Sequence, residues 1–130
     1  ACHEPIPLRL SFDLETRAGH TACAGIAWTL KDAICIPFMA RGNKDGYWTA
    51  EEEAEIIFRL YRLLTHSNVE VIGQNLLYDA QYTYRHWHFI PRVKLDTMIA
   101  QHTCFSDLPK SLAFICSMYC AFYQFWKEDK

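Results

Sequence analysis

The chain has 130 residues, of which 51% are hydrophobic and 15% aromatic, and its formal net charge is −2. This length and composition predict one domain with a hydrophobic core and exclude long disordered tracts. The small net charge excludes nucleic-acid binding through bulk positive charge, but it leaves open binding through a local basic rim or through metal ions. We expect neither a signal peptide nor a membrane partner, because no apolar stretch is long enough to span a bilayer.

The first third of the chain is typical of an antiparallel sheet. Apolar residues at positions 8, 10, 12 and 14 alternate with polar ones, which is the period of a β-strand with one buried face. Residues 21–30 and 33–40 read as two more strands, and the short Lys31-Asp32 connection between them predicts a hairpin. Residues 41–46 read as a loop.

The remainder of the chain alternates helices with strands. Thr49 begins a helix and Glu52 completes a capping box with it. The further predictions, in chain order, are a strand at 69–75, a helix at 76–88, a strand at 93–95, and helices at 96–104 and 109–120, the last with Pro109 in its first turn. This order predicts an α/β fold whose mixed sheet has three antiparallel strands followed by parallel strands, flanked by helices.

Six cysteines occur, and none form a C-x-x-C pair. Their even number permits disulfides, but most lie in apolar strand-like or helix-like segments. We therefore predict reduced, buried thiols and an intracellular protein. The chain begins with Ala1 and ends in a charged Lys-Glu-Asp-Lys sequence, so we expect both ends to be cut from a longer protein, although removal of an initiator Met would also explain the first.

Two acidic residues stand out in the first strand. Asp13 and Glu15 are separated by one residue, so they lie on the same face of the strand, about 7 Å apart. Two such carboxylates repel each other unless they are solvated or share a cation. The pair therefore marks either an exposed polar face or a site for a divalent metal.

Two further polar residues follow the strand predicted at 69–75. Asn75 stands at the strand-to-helix junction and Asp79 four residues later, on the same side of the first helical turn. Asn75 could instead cap the helix, and Asp79 could be a favourable charge near its N-terminus. If the first strand is central, however, Asp79 joins Asp13 and Glu15 at one end of the sheet, in a site suited to hard divalent ions.

These motifs resemble the DEDD superfamily of 3′–5′ exonucleases. The sequence FDLET is similar to the first motif of that superfamily, and GQNLLYDAQYTY is similar to the second. The segments YWTAEEEAEI and KLDTMIAQHTCFSDLPKSLAFICSMY resemble phage-type family A DNA polymerases. The resemblance implies a ribonuclease H-like fold and a proofreading domain that acts on a single-stranded DNA 3′ end with two Mg²⁺ or Mn²⁺ ions. It also implies a polymerase domain C-terminal to this one, and the cytoplasm of a bacterium or a phage-infected host cell.

The resemblance also implies roles for individual residues. Asp13 would bridge the two ions, Glu15 would hold the ion that carries the attacking water, and Asp79 would hold the second ion. Thr16 would help to seat the terminal nucleotide, and Asn75 would position the substrate strand.

The family pattern requires a fourth carboxylate, normally spaced as Tyr-x-x-x-Asp or His-x-x-x-x-Asp on a late helix. His102 and Asp107 have the second spacing but stand too early in the order of elements, which makes Asp107 a weak candidate. Asp129 is too near the end to lie on a formed helix. We therefore expect residues 1–130 to be a C-terminally truncated exonuclease-like domain that ends before the third motif.

Two other functions remain open. One is a free-standing or helicase-linked DEDD exonuclease that acts on RNA or DNA. The other is a catalytically inactive ribonuclease H-like domain that binds or scaffolds, and Mn²⁺ titration would distinguish it.

Overall fold

Residues 5–124 are described by a computed structural model. The strands are β1 (Leu8–Arg17), β2 (His20–Ala27), β3 (Ala33–Pro37), β4 (Val69–Gly73) and β5 (Val93–Asp96). The helices are α1 (Ala50–Leu64), α2 (Leu76–Trp87), α3 (Thr97–Cys104) and α4 (Leu112–Tyr119). This succession confirms the predicted order of elements.

The five strands form one mixed sheet in the order β3-β2-β1-β4-β5, with β1 at its centre. β1 pairs antiparallel with β2, and β2 with β3, whereas β1 pairs with β4, and β4 with β5, in parallel. The parallel pairing of β1 with β4 ends at Ser11, which lies opposite Ile72. Residues 12–17 of β1 therefore continue beyond β4 and keep a strand neighbour on one side only.

The hydrophobic core lies on one face of the sheet. The alternation in β1 places Leu10, Phe12 and Leu14 in this core, together with Leu60 and Leu64 of α1. α1 lies against β4, and α2 lies against β1. The odd-numbered residues of β1 point away from the core, so Asp13 and Glu15 are exposed on the opposite face.

Capping residues set the ends of the helices. The Thr49 hydroxyl accepts a hydrogen bond from the Glu52 N–H at 3.2 Å, and the Glu52 carboxylate accepts one from the Thr49 N–H at 3.1 Å, which confirms the capping box. α4, however, begins at Leu112 rather than at 109, because the Ser111 hydroxyl accepts a hydrogen bond from the Phe114 N–H. Pro109 therefore precedes the helix and does not form its first turn.

Three predicted strands are shorter than expected, among them β3, which ends at Pro37 rather than at residue 40. The hairpin between β2 and β3 begins after Ala27, because the Thr29 hydroxyl accepts hydrogen bonds from the N–H groups of Lys31 and Asp32. β4 ends at Gly73 because Asn75 adopts a left-handed conformation, with φ of 54°, that no strand continues through.

The thiols are free but less buried than expected. Cys23, Cys35, Cys104, Cys116 and Cys120 are all unpaired, and Cys2 lies outside the described residues. Three of them are exposed, so the prediction of burial is wrong for those three. Cys35 belongs to the edge strand β3, and the other two, Cys104 and Cys120, lie at the C-terminal ends of α3 and α4, where fewer neighbours cover a side chain.

Across residues 5–124, no helix combines the length and the apolar character that crossing a bilayer demands.

Gly73, at the end of β4, lies close to both α2 and β1. A Cβ atom at this position would lie 2.6 Å from the Leu76 side chain and 2.9 Å from the Phe12 carbonyl oxygen. Gly25 on β2 is a matched control, because its Cβ would meet only the Asp13 carbonyl oxygen at 3.8 Å.

We expect Gly73→Ala to lower the free energy of unfolding by about 1–3 kcal/mol, the usual cost of overpacking. Urea denaturation followed by circular dichroism measures the change. Gly25→Ala should cost clearly less, and equal losses in the two variants would contradict the assigned role of Gly73.

Candidate active site

Asp13 and Glu15 form an exposed acidic pair on the centre strand of the sheet. They alternate with the buried Phe12 and Leu14, which confirms that both carboxylates leave the strand on the same face. Partial burial, followed by the negative charge of Glu15, raises the pKa of Asp13 above its ordinary value. The pair is therefore electrostatically unfavourable by itself, and a bound cation would relieve the repulsion.

The third acid, Asp79, is only 2% exposed. It lies in the first turn of α2, and its Oδ1 accepts a hydrogen bond of 2.8 Å from the Leu14 N–H. Leu14 lies beyond the end of the β1–β4 pairing, so its amide receives this carboxylate in place of a strand carbonyl. The contact fixes Asp79 beside the segment of β1 that carries Asp13 and Glu15.

Burial raises the pKa of Asp79 to about 6. The Leu14 N–H opposes this rise, whereas the negative charges of Asp13 and Asp96 add to it. The ionised form of Asp79 is thus costly in the free protein, and a cation near Asp13 would favour it.

Asp96 is a structural acid that the sequence analysis missed. Its carboxylate accepts hydrogen bonds from the N–H groups of Asn75, at 2.9 Å, and Leu76, at 2.8 Å, and from Met98 in its own helix, at 2.9 Å. It therefore caps α3 and supports the N-terminus of α2 at the same time. An aspartate directly before an apolar helix is a capping signal that could have indicated the first role.

Asn75 occupies the N-cap position of α2, but its side chain makes no capping hydrogen bond. The alternative that this side chain caps the helix is therefore wrong. Asparagine tolerates the left-handed backbone conformation at this turn, and the side chain is exposed.

A chain of hydroxyl groups lies beside the acids. The hydroxyls of Thr16 and Tyr78 share a hydrogen bond of 2.7 Å, and Tyr78 donates to Tyr82 at 3.3 Å. The bond with Thr16, and then that with Tyr82, holds the pKa of Tyr78 below its usual range. Tyr78 is 43% exposed. Its place one residue before Asp79 on α2 puts it at the site.

An open cavity of about 280 Å³ lies between Asp13 and the ends of β1 and β4. Ser11, Gln74, Thr97 and Leu112 complete much of its wall. Gln74 accepts a hydrogen bond from the Thr97 hydroxyl and donates one of 2.8 Å to the Lys110 carbonyl, so the segment before α4 is tied to this wall.

The structure does not bring His102 or Asp107 to these acids. Both side chains are exposed, and neither forms a hydrogen bond with a site residue within the described part of the chain. Among residues 5–124, no three His, Cys, Asp or Glu side chains lie close enough together to hold a metal ion. Asp129, the other late acid considered, lies outside the described residues.

The chemistry of the donor set nevertheless fits a divalent ion. Asp13 and Asp79 are partly desolvated carboxylates with raised pKa values: the charge of Glu15 contributes to the rise at Asp13, and the charges of Asp13 and Asp96 contribute to the rise at Asp79. Carboxylate oxygens are the ligands that Mg²⁺ and Mn²⁺ prefer, and Mg²⁺ commonly retains several waters. Asp79 now directs Oδ1 to Leu14, so Asp13 and Glu15 are the acids most accessible to a cation.

The central acid-bearing strand, the mixed sheet and the flanking helices define a ribonuclease H-like domain. The model of the 3′–5′ exonuclease family matches residues 3–130. The chain therefore belongs to the 3′–5′ exonuclease family, as its resemblance to the DEDD superfamily implied.

Solved structures support the same fold. The chain is 18% identical to Brucella melitensis NrnC bound to pGG, with a TM-score of 0.70, over 93% of this chain and 56% of that one. It is 17% identical to Brucella melitensis NrnC with bound Mg²⁺, with a TM-score of 0.65, over 87% of this chain and 53% of that one. The chain thus spans little more than half the length of these structures. A search of curated proteins found no match.

Asp79→Asn tests the cost of the buried carboxylate. The pKa of this carboxyl rises from 3.8 to about 6 on folding. The folded protein is therefore not destabilised by this group below pH 3.8, where the carboxyl is protonated in both states, and it loses stability as the pH rises through about 6. That difference corresponds to about 3 kcal/mol, part of which the asparagine will lose through a weaker hydrogen bond to Leu14.

In a metal chelator we expect Asp79→Asn to be more stable than the wild type by about 1–3 kcal/mol near pH 8, with no gain near pH 4. Thermal unfolding across this pH range measures the effect, and the exposed Asp107→Asn is the control. A wild type more stable than Asp79→Asn near pH 8 would mean that the Leu14 hydrogen bond outweighs the burial.

Proposed function

We propose that this chain is the exonuclease domain of a phage-type DNA polymerase and that it removes nucleotides from a single-stranded DNA 3′ end. The observation that carries the proposal is the exposed Asp13–Glu15 pair on the central strand, with Asp79 fixed to the same strand by the Leu14 N–H. Membership of the 3′–5′ exonuclease family supports the reaction class. We extend the proposal to a polymerase domain that follows this one and to a cytoplasmic location.

In this proposal Asp13, Glu15 and Asp79 hold two divalent ions, Mg²⁺ or Mn²⁺. Such ions supply an activated water and neutralise the charge on the leaving oxygen of a phosphodiester. Asp13 would contact both ions, because its charge is coupled to both other acids: the charge of Glu15 raises the pKa of Asp13, and the charge of Asp13 raises the pKa of Asp79. Asp79 would bind an ion through the carboxylate oxygen that does not accept the Leu14 hydrogen bond.

The remaining polar groups would position the substrate. The hydroxyl of Thr16 is held beside the acids by its hydrogen bond with Tyr78, where it can contact the terminal nucleotide. The exposed side chain of Asn75, with no capping role to fulfil, can contact the substrate strand. Tyr78 offers an exposed aromatic ring on which a base can stack.

A free-standing exonuclease is the second candidate. The similarity to NrnC structures favours this candidate. One of those structures is described as bound to pGG and another as having bound Mg²⁺. The residues that follow Lys130 in the gene distinguish the two, since only the first candidate requires a polymerase domain there.

Asp13→Asn tests the metal site with little change in side-chain volume. We expect the variant to lose the tight binding of Mn²⁺ in calorimetry and to degrade single-stranded DNA at least a hundredfold more slowly. The fold should survive, because Asp13 is an exposed residue that already repels Glu15. Glu51→Gln, an exposed acid in the first turn of α1, is the matched control. An unchanged Mn²⁺ affinity in Asp13→Asn would rule out the proposed site.

We also propose that a fourth carboxylate is supplied by residues beyond Lys130. The described acids include no candidate near Asp13 other than Glu15, Asp79 and the structurally engaged Asp96. Val93 and Leu95 on the edge strand β5 and Ile99 on α3 are exposed apolar residues that a following element can cover.

A chain extended through the next ~40 residues, about one or two elements, should shorten 5′-labelled single-stranded DNA stepwise from its 3′ end in the presence of Mn²⁺. The 130-residue chain should be slower by at least roughly a hundredfold, because the missing group orients the nucleophilic water. Equal rates would mean that residues 1–130 contain every group that the reaction needs.

A further inference from the structure

A basic cleft lies at the end of β1, beyond the acidic pair. It has a volume of about 800 Å³, and its charged lining residues are Arg17, Arg41 and Lys44. No acidic residue lines it. Within residues 5–124, none of these three cations is part of an ion pair, so their charges are available to an anionic ligand.

The cleft is continuous with the acidic site through β1. Arg17 follows Glu15 by two residues, which corresponds to about 7 Å along the strand. The other two cations lie in the loop after β3, and that loop is fastened to the sheet: the N–H groups of Phe38 and Met39 both donate to the Ala22 carbonyl of β2. A ligand that leaves the acidic pair along β1 therefore meets these cations next.

Internal hydrogen bonds give the loop a defined shape. The Asn43 side chain donates to the Gly46 carbonyl at 2.9 Å and accepts from the Asp45 N–H at 3.0 Å. Gly42 and Gly46 have positive φ values of 79° and 92°, which most other residues avoid. Asp45, the one acid in this loop, does not line the cleft. The cations are thus presented by an ordered turn, which lowers the entropic cost of binding a polyanion.

We propose that this cleft binds the phosphates of the single-stranded nucleic acid whose 3′ end occupies the acidic site. The inference rests on the proposed function and extends it from the terminal nucleotide to the strand behind it. A row of cations without acidic partners suits a polyanion rather than a single carboxylate or an apolar ligand. The chain, with a net charge of only −2, would in this way bind nucleic acid through a local basic region.

The test is equilibrium binding of fluorescently labelled single-stranded DNA of about 12 nucleotides, a length within the range of single-strand binding sites. It is made in the Asp13→Asn background with Mg²⁺, so that degradation of the strand during the measurement is at least roughly a hundredfold slower. The Arg41→Ala/Lys44→Ala double variant is compared with Lys31→Ala/Arg62→Ala, which removes two exposed cations elsewhere. For a single strand, removing one phosphate contact lowers the slope of log affinity against log salt concentration by about 0.7. This corresponds to a roughly fivefold loss of affinity for each contact at about 0.1 M salt.

We expect the cleft double variant to bind the strand about 25-fold more weakly and with a salt slope lower by about 1.4. The control variant should bind within roughly twofold of the Asp13→Asn parent. Binding of pGG should be unchanged in both, because a dinucleotide held at the acidic pair is expected to reach no further than Arg17, which the cleft variant retains. Equal weakening in the two double variants, or an unchanged salt slope in the cleft variant, would overturn the inference.

A separate measurement keeps the proposed function distinguishable from the cleft. Hydrolysis of pGG by the otherwise unaltered chain with Mn²⁺ depends on the acidic site and not on the cleft. If pGG is hydrolysed and the cleft variant binds the longer strand normally, only the proposal about the cleft is overturned. If neither pGG nor a longer strand is hydrolysed by the 130-residue chain or by its extended form, the proposed function fails, and the binding measurement still decides the cleft.

Discussion

The structure depends on how the backbone N–H groups of β1 find hydrogen-bond partners where that strand continues beyond β4. Pairing between the two strands stops at Ser11, yet β1 runs on to Arg17. A buried N–H without a partner costs as much as a lost hydrogen bond, and the Asp79 carboxylate satisfies the one on Leu14. The same contact places an acid next to Asp13 and Glu15. One interaction thus closes the end of the sheet and assembles the candidate site.

Asp96 supports this arrangement from the other side. Its carboxylate holds the first amides of α2, and the position of α2 decides where Asp79 points. The two aspartates have different environments: Asp96 accepts three hydrogen bonds, whereas Asp79 accepts one from Leu14 and faces the charge of Asp13. Asp96 is therefore suited to a structural role. Asp79 keeps one carboxylate oxygen outside the Leu14 hydrogen bond, and a bound cation would offset its repulsion by Asp13.

Much of the fold could be predicted from the sequence, because local patterns determine it. Strict alternation in β1 separates Leu10, Phe12 and Leu14 from Asp13 and Glu15, and the Thr49–Glu52 box marks the start of α1. Features that depend on contacts distant in sequence were not predictable in this way. The link from Asp96 to Asn75 spans 21 residues and uses backbone amides, which carry no side-chain pattern. Two residues could mark the start of α4, Pro109 as a first-turn residue or Ser111 as an N-cap, and the choice between them depends on the surrounding loop.

The basic cleft could not be predicted from the sequence for a related reason. Its cations come from the end of β1 and from the loop after β3, which only the β2–β3 hairpin brings together. Between Arg17 and Arg41 the sequence contains one lysine, Lys31, followed directly by Asp32, so no run of positive charge appears. A site that cleaves nucleic acid needs negative charge to hold metal ions and positive charge to hold the strand, and the two must be kept apart to avoid neutralising each other. Here a single strand carries both kinds of charge in succession: the acids Asp13 and Glu15 first, then Arg17 at the cleft. In the proposed function, that separation along β1 would let metal and polyanion bind side by side, although the net charge of the chain is only −2.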